Sequence, residues 1–238
     1  MKAMILAAGM GTRLLPLTEH TPKALVRAGG VSLLERLIIR LKEQGFRQLV
    51  INVHHHAGQI IDFLEEQDHF GLQIDISDES GLLLDTGGAI LRAAPLLGND
   101  SPFLVHNVDV ISGIDLAGLY RSHLRHQALA TLAVRNRETA RYLLFNDKLC
   151  LRGWENPATG ERIPSTPEKE AVVRLAFSGI HVISPGIFSL FTETGRFSII
   201  GTYLRLCREH PIRAYRHDEG LWIDAGKPEG LAAAGRLP

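Results

Sequence analysis

A short apolar run at residues 2–8 breaks into Gly9-Met10-Gly11-Thr12-Arg13, and strand-like and helix-like segments then alternate along the chain. A buried strand that ends in a glycine loop within a β-then-α order puts that loop at the carboxyl edge of a sheet, where α/β proteins bind ligands. Ser32-Leu33-Leu34-Glu35 reads as a capping box, and Leu34, Leu37, Ile38 and Leu41 recur at helical spacing until Gly45. Residues 48–53 and 72–76 predict strands around a helix at 57–67. The segment 80–88 predicts a loop, 89–97 a helix and 103–106 a strand, with Asp109 just beyond it. This order predicts a mainly parallel sheet with helices on both faces.

The second half reads less regularly. A helix is expected at 116–125, strands at 128–134, 142–151 and 172–183, a helix at 197–208, and closing strands at 212–217 and 221–223. Residues 154–170, rich in proline, glycine and charge, predict a loop long enough for a lid or for a contact in a homodimer. With 238 residues, 45% of them hydrophobic, the chain can bury the core of one domain spanning 1–238.

Composition removes several functions. Twenty-six basic and 26 acidic residues cancel, so charge gives no reason to expect nucleic acid or an anionic membrane as partner. The first apolar run is too short for a signal segment or a membrane span, and a cytoplasmic protein is expected. Cys150 and Cys207 lack metal-ligand spacing and read as reduced core residues. His54-His55-His56 cannot converge on one ion if it lies on a strand, because successive side chains alternate faces. Nothing resembles a Ser-His-Asp or Cys-His arrangement.

The first loop is therefore the chemical lead, and two common readings of it fail. A dinucleotide fingerprint needs a third glycine where Leu14 stands and an acid where Asn52 to His56 stand. A phosphate loop of the Walker type needs four residues between its glycines, followed by Lys-Ser or Lys-Thr. What remains is a loop with its own cation, Arg13, followed by Pro16, Thr18 and Thr21-Pro22-Lys23. Two cations thus stand near one strand end. Taken singly, each would read as a solvated charge, and a strand-end aspartate as a cap or turn residue.

Read together, Leu6-Ala7-Ala8-Gly9-Met10-Gly11-Thr12-Arg13-Leu14, Pro16-Leu17-Thr18 and Thr21-Pro22-Lys23 resemble the signature of the sugar-1-phosphate nucleotidyltransferase family. Leu84-Asp85-Thr86-Gly87-Gly88-Ala89-Ile90, Asp109, Phe177-Ser178-Gly179-Ile180 and Trp222-Ile223-Asp224-Ala225-Gly226-Lys227-Pro228-Glu229 follow in the family's order. The resemblance implies a three-layer α/β/α nucleotide-diphospho-sugar transferase fold, Rossmann-like with a mixed, mainly parallel sheet. Its nucleotide-binding half would be 1–110 and its sugar-binding half 111–238, with no C-terminal β-helix expected.

The implied reaction joins a nucleoside triphosphate to a sugar 1-phosphate and releases pyrophosphate. Nucleotide binding would fall to Ala7, Ala8, Gly9, Gly11, Thr12, Arg13, Lys23, Asp85, Gly87, Gly88 and Asn107. Arg13, Lys23 and Asp109 would be catalytic, and Asp109 and Asp224 would hold Mg²⁺. Asn107, Glu155, Ser178, Gly179 and Trp222 would face the sugar. Each has a plainer alternative: helix opening for Gly87 and Gly88, a bulge or close packing for Gly179, core for Trp222. The compact length resembles members that use N-acetylmuramic acid 1-phosphate with UTP, with mannose or heptose 1-phosphate and GTP as runner-up. A glycosyltransferase of related fold, or a silent nucleotide-binding subunit, are the readings from other classes. The chain departs from the family at Val108, where glycine is common, and at Asn156, where many relatives carry the lysine that holds the sugar phosphate. Lys227, where threonine is more usual, is a candidate replacement.

Overall fold

The computed structural model describes residues 1–98, 100–164 and 171–237. In chain order these form β1 (Lys2–Leu6), β2 (Arg27–Ala28), β3 (Val31–Ser32), α1 (Leu33–Glu43), β4 (Gln48–Val53), α2 (Ala57–Glu66), β5 (Gln73–Asp78), α3 (Asp85–Arg92), α4 (Ala94–Leu97), β6 (Phe103–Asn107) and β7 (Val110–Ser112). There follow α5 (Leu116–His126), β8 (Ala130–Arg135), β9 (Tyr142–Phe145), β10 (Leu151–Asn156), β11 (Glu161–Pro164), β12 (Val173–Ile183), α6 (Ile199–Leu206), β13 (Ile212–Arg216), β14 (Trp222–Asp224) and α7 (Pro228–Ala234).

The main sheet runs β11-β10-β9-β12-β6-β1-β4-β5, and β8 joins β12 to β13. Alternation along the strands sets its two faces. In β1, Ala3 and Ile5 join the core beneath α1, α2, α5 and α7, while Met4 joins the core beneath α3, α4 and α6. The result is the expected three layers. The sheet is mixed: β6, β1, β4 and β5 pair in parallel, as does β13 with β8, whereas β12 pairs antiparallel with β6, β8 and β9. The β12–β6 pairing joins strands from the two halves, so loops of both meet at one sheet edge.

Where sequence expectations and structure differ, tertiary packing explains the difference. The helix expected at 89–97 begins at Asp85 and breaks at Ala93, with Pro95 in the first turn of α4. Gly87 and Gly88 are poor helix formers, yet their missing side chains let α3 lie against 195–199, a contact local propensity cannot foresee. Part of the loop expected at 154–170 is an antiparallel pair, β10 with β11. Its outer strand is exposed throughout, so it carries no apolar alternation to announce it. Residues 165–170 of that segment lie outside those described. The final short strand, β14, leaves the main sheet and pairs with β7, in register Asp224 to Val110.

Candidate active site

Strand β1 delivers its loop to the sheet edge in a fixed shape. Gly11 takes a left-handed conformation (φ 67°) and starts a single tight turn, Thr12–Leu14. Its carbonyl accepts from the Leu14 amide at 2.8 Å and from Thr18 Oγ1 at 2.8 Å. A side chain at Gly11 would stand 2.7 Å from Thr18 Cγ2. With the loop so held, the amides of Gly9, Gly11 and Thr12 have no hydrogen-bond acceptor among the described residues. Unpaired amides at a strand end are what an oxyanion requires. Ala7 is the exception, since its amide donates to Asn52 Oδ1 at 2.7 Å and is occupied.

Five charged groups converge beside the loop. Lys23, which opens a short turn directly after Pro22, places Nζ 2.7 Å from Asp109 Oδ2, with both side chains largely buried. Arg13 Nη1 lies 3.7 Å and Lys227 Nζ 3.9 Å from Asp224 Oδ2. The carboxylates are remote in sequence, but the β7–β14 ribbon brings their backbones together, and the Ala225 amide donates to the Asp109 carbonyl at 2.8 Å. A Cβ on Gly226 would sit 2.4 Å from Asp109 Oδ2, 3.0 Å from Arg13 Nη2 and 3.1 Å from Asp224 Oδ1. Only glycine leaves room for this convergence. Among the described residues no third carboxylate, histidine or cysteine completes a protein cage. Two carboxylates facing a common space fit a hard divalent cation that draws its other ligands from phosphate and water.

Ala8, Gly9, Lys23, Asp85, Asn107 and Asp109 line one cavity of about 270 Å³ above this edge. Three further lining residues were not anticipated from sequence: Asn52, Glu79 and Arg196. Asn52 Nδ2 donates to Glu79 Oε1 at 2.7 Å, and the buried Glu79 also accepts from the Leu84 amide at 3.2 Å. This relay ties the ends of β4 and β5 to the loop before α3. The argument that singled out Asp109, an acid just past a strand end, applies equally to Glu79 after β5 and could have found it.

Other expected residues have structural employment. Gly87 and Gly88 are buried and absent from the cavity wall, and both amides donate to the Phe197 carbonyl, at 2.9 and 3.3 Å. Side chains there would stand 2.4 Å from the Phe197 ring and 2.3 Å from the Gly195 carbonyl. Both glycines therefore have a packing role of their own in the contact of α3 with 195–199. Glu155 is buried in an ion pair with Arg174 and does not line a described cavity. Ser178 Oγ lies 2.7 Å from His217 Nε2, and burial lowers the pKa of His217 to about 4, so this partner is neutral near pH 7.

Gly179 (φ 75°) sits where the pairing of β12 with β8 is irregular, and a Cβ there would be 2.8 Å from Asn107 Nδ2. Trp222 is half-buried, and its Nε1 donates to the Ser178 carbonyl at 3.1 Å. Val108, 1% exposed, belongs to the core. Asn107, Gly179, Ser178 and Trp222 are thus in a chain of contacts that leads away from the first cavity. The described residues include no helix long and apolar enough to cross a membrane.

The sequence matches the nucleotidyl transferase family over residues 2–237. It is 34% identical over 235 residues to an N-acetylmuramate alpha-1-phosphate uridylyltransferase of Neisseria meningitidis, covering 95% of this chain and 93% of that one. A protein of the same description from Caulobacter vibrioides is 32% identical, covering 99% and 96%. A mannose-1-phosphate guanyltransferase of Aspergillus oryzae is 28% identical, and the match covers 96% of this chain but 62% of the relative. In fold, the chain is similar to a putative glucose-1-phosphate thymidylyltransferase of Bacillus anthracis, with a TM-score of 0.80 at 21% identity over 98% of this chain and 93% of that one. A free-amide loop, a paired lysine and aspartate, and a second aspartate brought in by a ribbon fit this kinship over the whole length. The chain belongs to the nucleotidyl transferase family, the sugar-1-phosphate nucleotidyltransferases that its opening motifs resemble.

Proposed function

We propose that this enzyme transfers a uridylyl group from UTP to N-acetylmuramate 1-phosphate, releasing pyrophosphate. The observation that carries the choice of substrates is full-length kinship with two uridylyltransferases, against mannose-1-phosphate relatives of which the match covers less than two thirds. The chemistry rests on the convergence at Gly226. A phosphate oxygen of the sugar would attack the α-phosphorus, the new P–O bond forming as the bond to the β-phosphate bridge oxygen breaks and its electrons pass to pyrophosphate. Such a step asks for positioning and charge neutralisation rather than a protein nucleophile.

The amides of Gly9, Gly11 and Thr12 would receive the β- and γ-phosphates, and Arg13 would offset the charge that grows on pyrophosphate. Lys23, held by Pro22 beside the loop, would bridge the α-phosphate and the incoming phosphate. Mg²⁺ held by Asp109 and Asp224 would supply Lewis-acid neutralisation of phosphate oxygens when bound. Lys23 and Asp109 are paired, so each offsets the buried charge of the other.

The test is pyrophosphate release from UTP and GTP, each offered N-acetylmuramate, N-acetylglucosamine, glucose and mannose 1-phosphates, with and without excess chelator. UTP with N-acetylmuramate 1-phosphate should give the highest kcat/KM, and chelator should abolish turnover. Preference for GTP with mannose 1-phosphate would select the runner-up. Turnover undiminished by chelator would remove the metal from the mechanism.

A further inference from the structure

A second cavity, about 600 Å³, draws on the same chain segment as the first: Arg196 lines one, Ser198 and Ile200 the other. Its walls are mixed: apolar side chains such as Trp154 and Phe177 alternate with polar ones such as Thr139 and Asn156, and Arg137 and Arg141 line it against a single exposed acid, Glu161. A concave site with both apolar surface and convergent polar groups can hold a small molecule that carries both.

Arg137 is the unusual member. It is half-buried, its guanidinium carbon stands 4.3 Å over the Trp222 ring, and Nη2 donates to the Phe177 carbonyl at 3.0 Å. Nη1 has only a long bond to the Glu138 carbonyl, 3.3 Å, and the buried Nε has no partner. No carboxylate among the described residues lies within ion-pair distance of it. Burial lowers its pKa, while the field of Asp224 acts against that shift. A guanidinium seated on two carbonyls and a ring face, with a donor left over, has kept the capacity for an anion.

Its placement says which anion. Arg137 is stacked on Trp222 and lines the second cavity but not the first, whose wall carries Lys23 and Asp109. Phosphate oxygens at the reacting phosphorus already have Arg13 and Lys23. We infer that Arg137, with Arg141 at the cavity mouth, binds a carboxylate carried by the sugar itself, making the second cavity the determinant that selects an acidic sugar 1-phosphate over its neutral counterpart. The inference rests on the reading that the sugar lies along Trp222. Arginine suits the task because its planar fork matches a carboxylate.

N-acetylmuramate 1-phosphate and N-acetylglucosamine 1-phosphate differ in the lactyl ether that bears the carboxylate, so they make the pair of probes. The wild-type enzyme should prefer the acidic sugar. Arg137→Gln should lower the ratio of kcat/KM, acidic over neutral, by at least about tenfold, mainly through KM for the acidic sugar. Arg137→Lys should restore part of that ratio, and Arg141→Gln, an exposed change that leaves the fold alone, should lower it about threefold. Equal losses on both sugars would overturn the inference, since Arg137 would then serve the common phosphate or only the posture of Trp222. Pyrophosphate release with neutral sugars alone would overturn it too while leaving nucleotidyl transfer standing. No release with any sugar phosphate would overturn the underlying reading as well.

Discussion

Two glycine motifs lie by the first cavity, Gly9 in its wall and Gly87-Gly88 directly after the lining residues Asp85 and Thr86, and they use glycine for opposite ends. In Gly9-Met10-Gly11-Thr12 the amides of Gly9, Gly11 and Thr12 have no acceptor among the described residues and stand at a sheet edge. In Gly87-Gly88 the amides are occupied by the Phe197 carbonyl, and the missing side chains let a helix close onto a neighbouring segment. Similar letters thus give a binding surface in one place and a seam in the other. What separates them is whether the amides already have acceptors, a property of the tertiary structure.

The contrast can be broken at three points. The largest effect is expected on the loop side, at Lys23, whose Nζ lies 3.0 Å from where a Gly9 side chain would begin. Lys23→Ala should cost about a hundredfold in kcat/KM, with both substrates affected, if bridging contributes about 3 kcal/mol. Lys23→Arg should recover only part, because the fork favours one bidentate partner over two phosphates. Steady-state kinetics with each substrate varied would show it, and an alanine variant within about threefold of wild type for both would move the cation out of the site.

On the seam side the cost should appear in stability. Gly87→Ala forces a methyl against the Phe197 ring and the Ile199 amide, so about 1–3 kcal/mol should be lost by overpacking. Denaturant unfolding measures that loss, and kcat per folded molecule should change far less than for Lys23→Ala. A variant of normal stability whose KM for UTP has risen sharply would return Gly87 to the nucleotide.

The smallest effect should come from Thr18→Val, which keeps the shape but deletes the donor to the Gly11 carbonyl. About 1 kcal/mol of stability should go, which for a chain of this size is a fall in Tm of about 2–4 °C. Because that bond holds the free-amide conformation, KM for the triphosphate should rise alongside.

The first half of the chain was the more legible. Its strands and helices announce themselves through caps and periodicity, and Arg13, Lys23 and Asp109 could be named as candidates because a strand end or a motif places them. The second half hid more. Strand β11 is exposed throughout and carries no pattern, and the pairing of β14 with β7 is a long-range choice that no local window contains. Asn52, inside an expected strand, and Glu79, between an expected strand and a loop, were passed over because neither belongs to a motif, and only the 2.7 Å bond between them reveals a shared task. The packing of Gly87 and Gly88 on 195–199 was not legible because sequence cannot say which amides already have acceptors.

The β7–β14 ribbon separates two kinds of damage. Asp109 and Asp224 hold their spacing through main-chain pairing at that ribbon and the bond from the Ala225 amide to the Asp109 carbonyl, so the gap between them is set by peptide geometry more than by the fit of core side chains. Trimming a buried residue in the core on the other face of the sheet, such as Leu97 in α4 or Leu206 in α6, removes contacts that hold the molecule together yet leaves the span between the carboxylates alone. Such lesions should lower the number of working molecules while each survivor keeps its full turnover. Mutational drift in that part of the chain would be tolerated up to the point of unfolding.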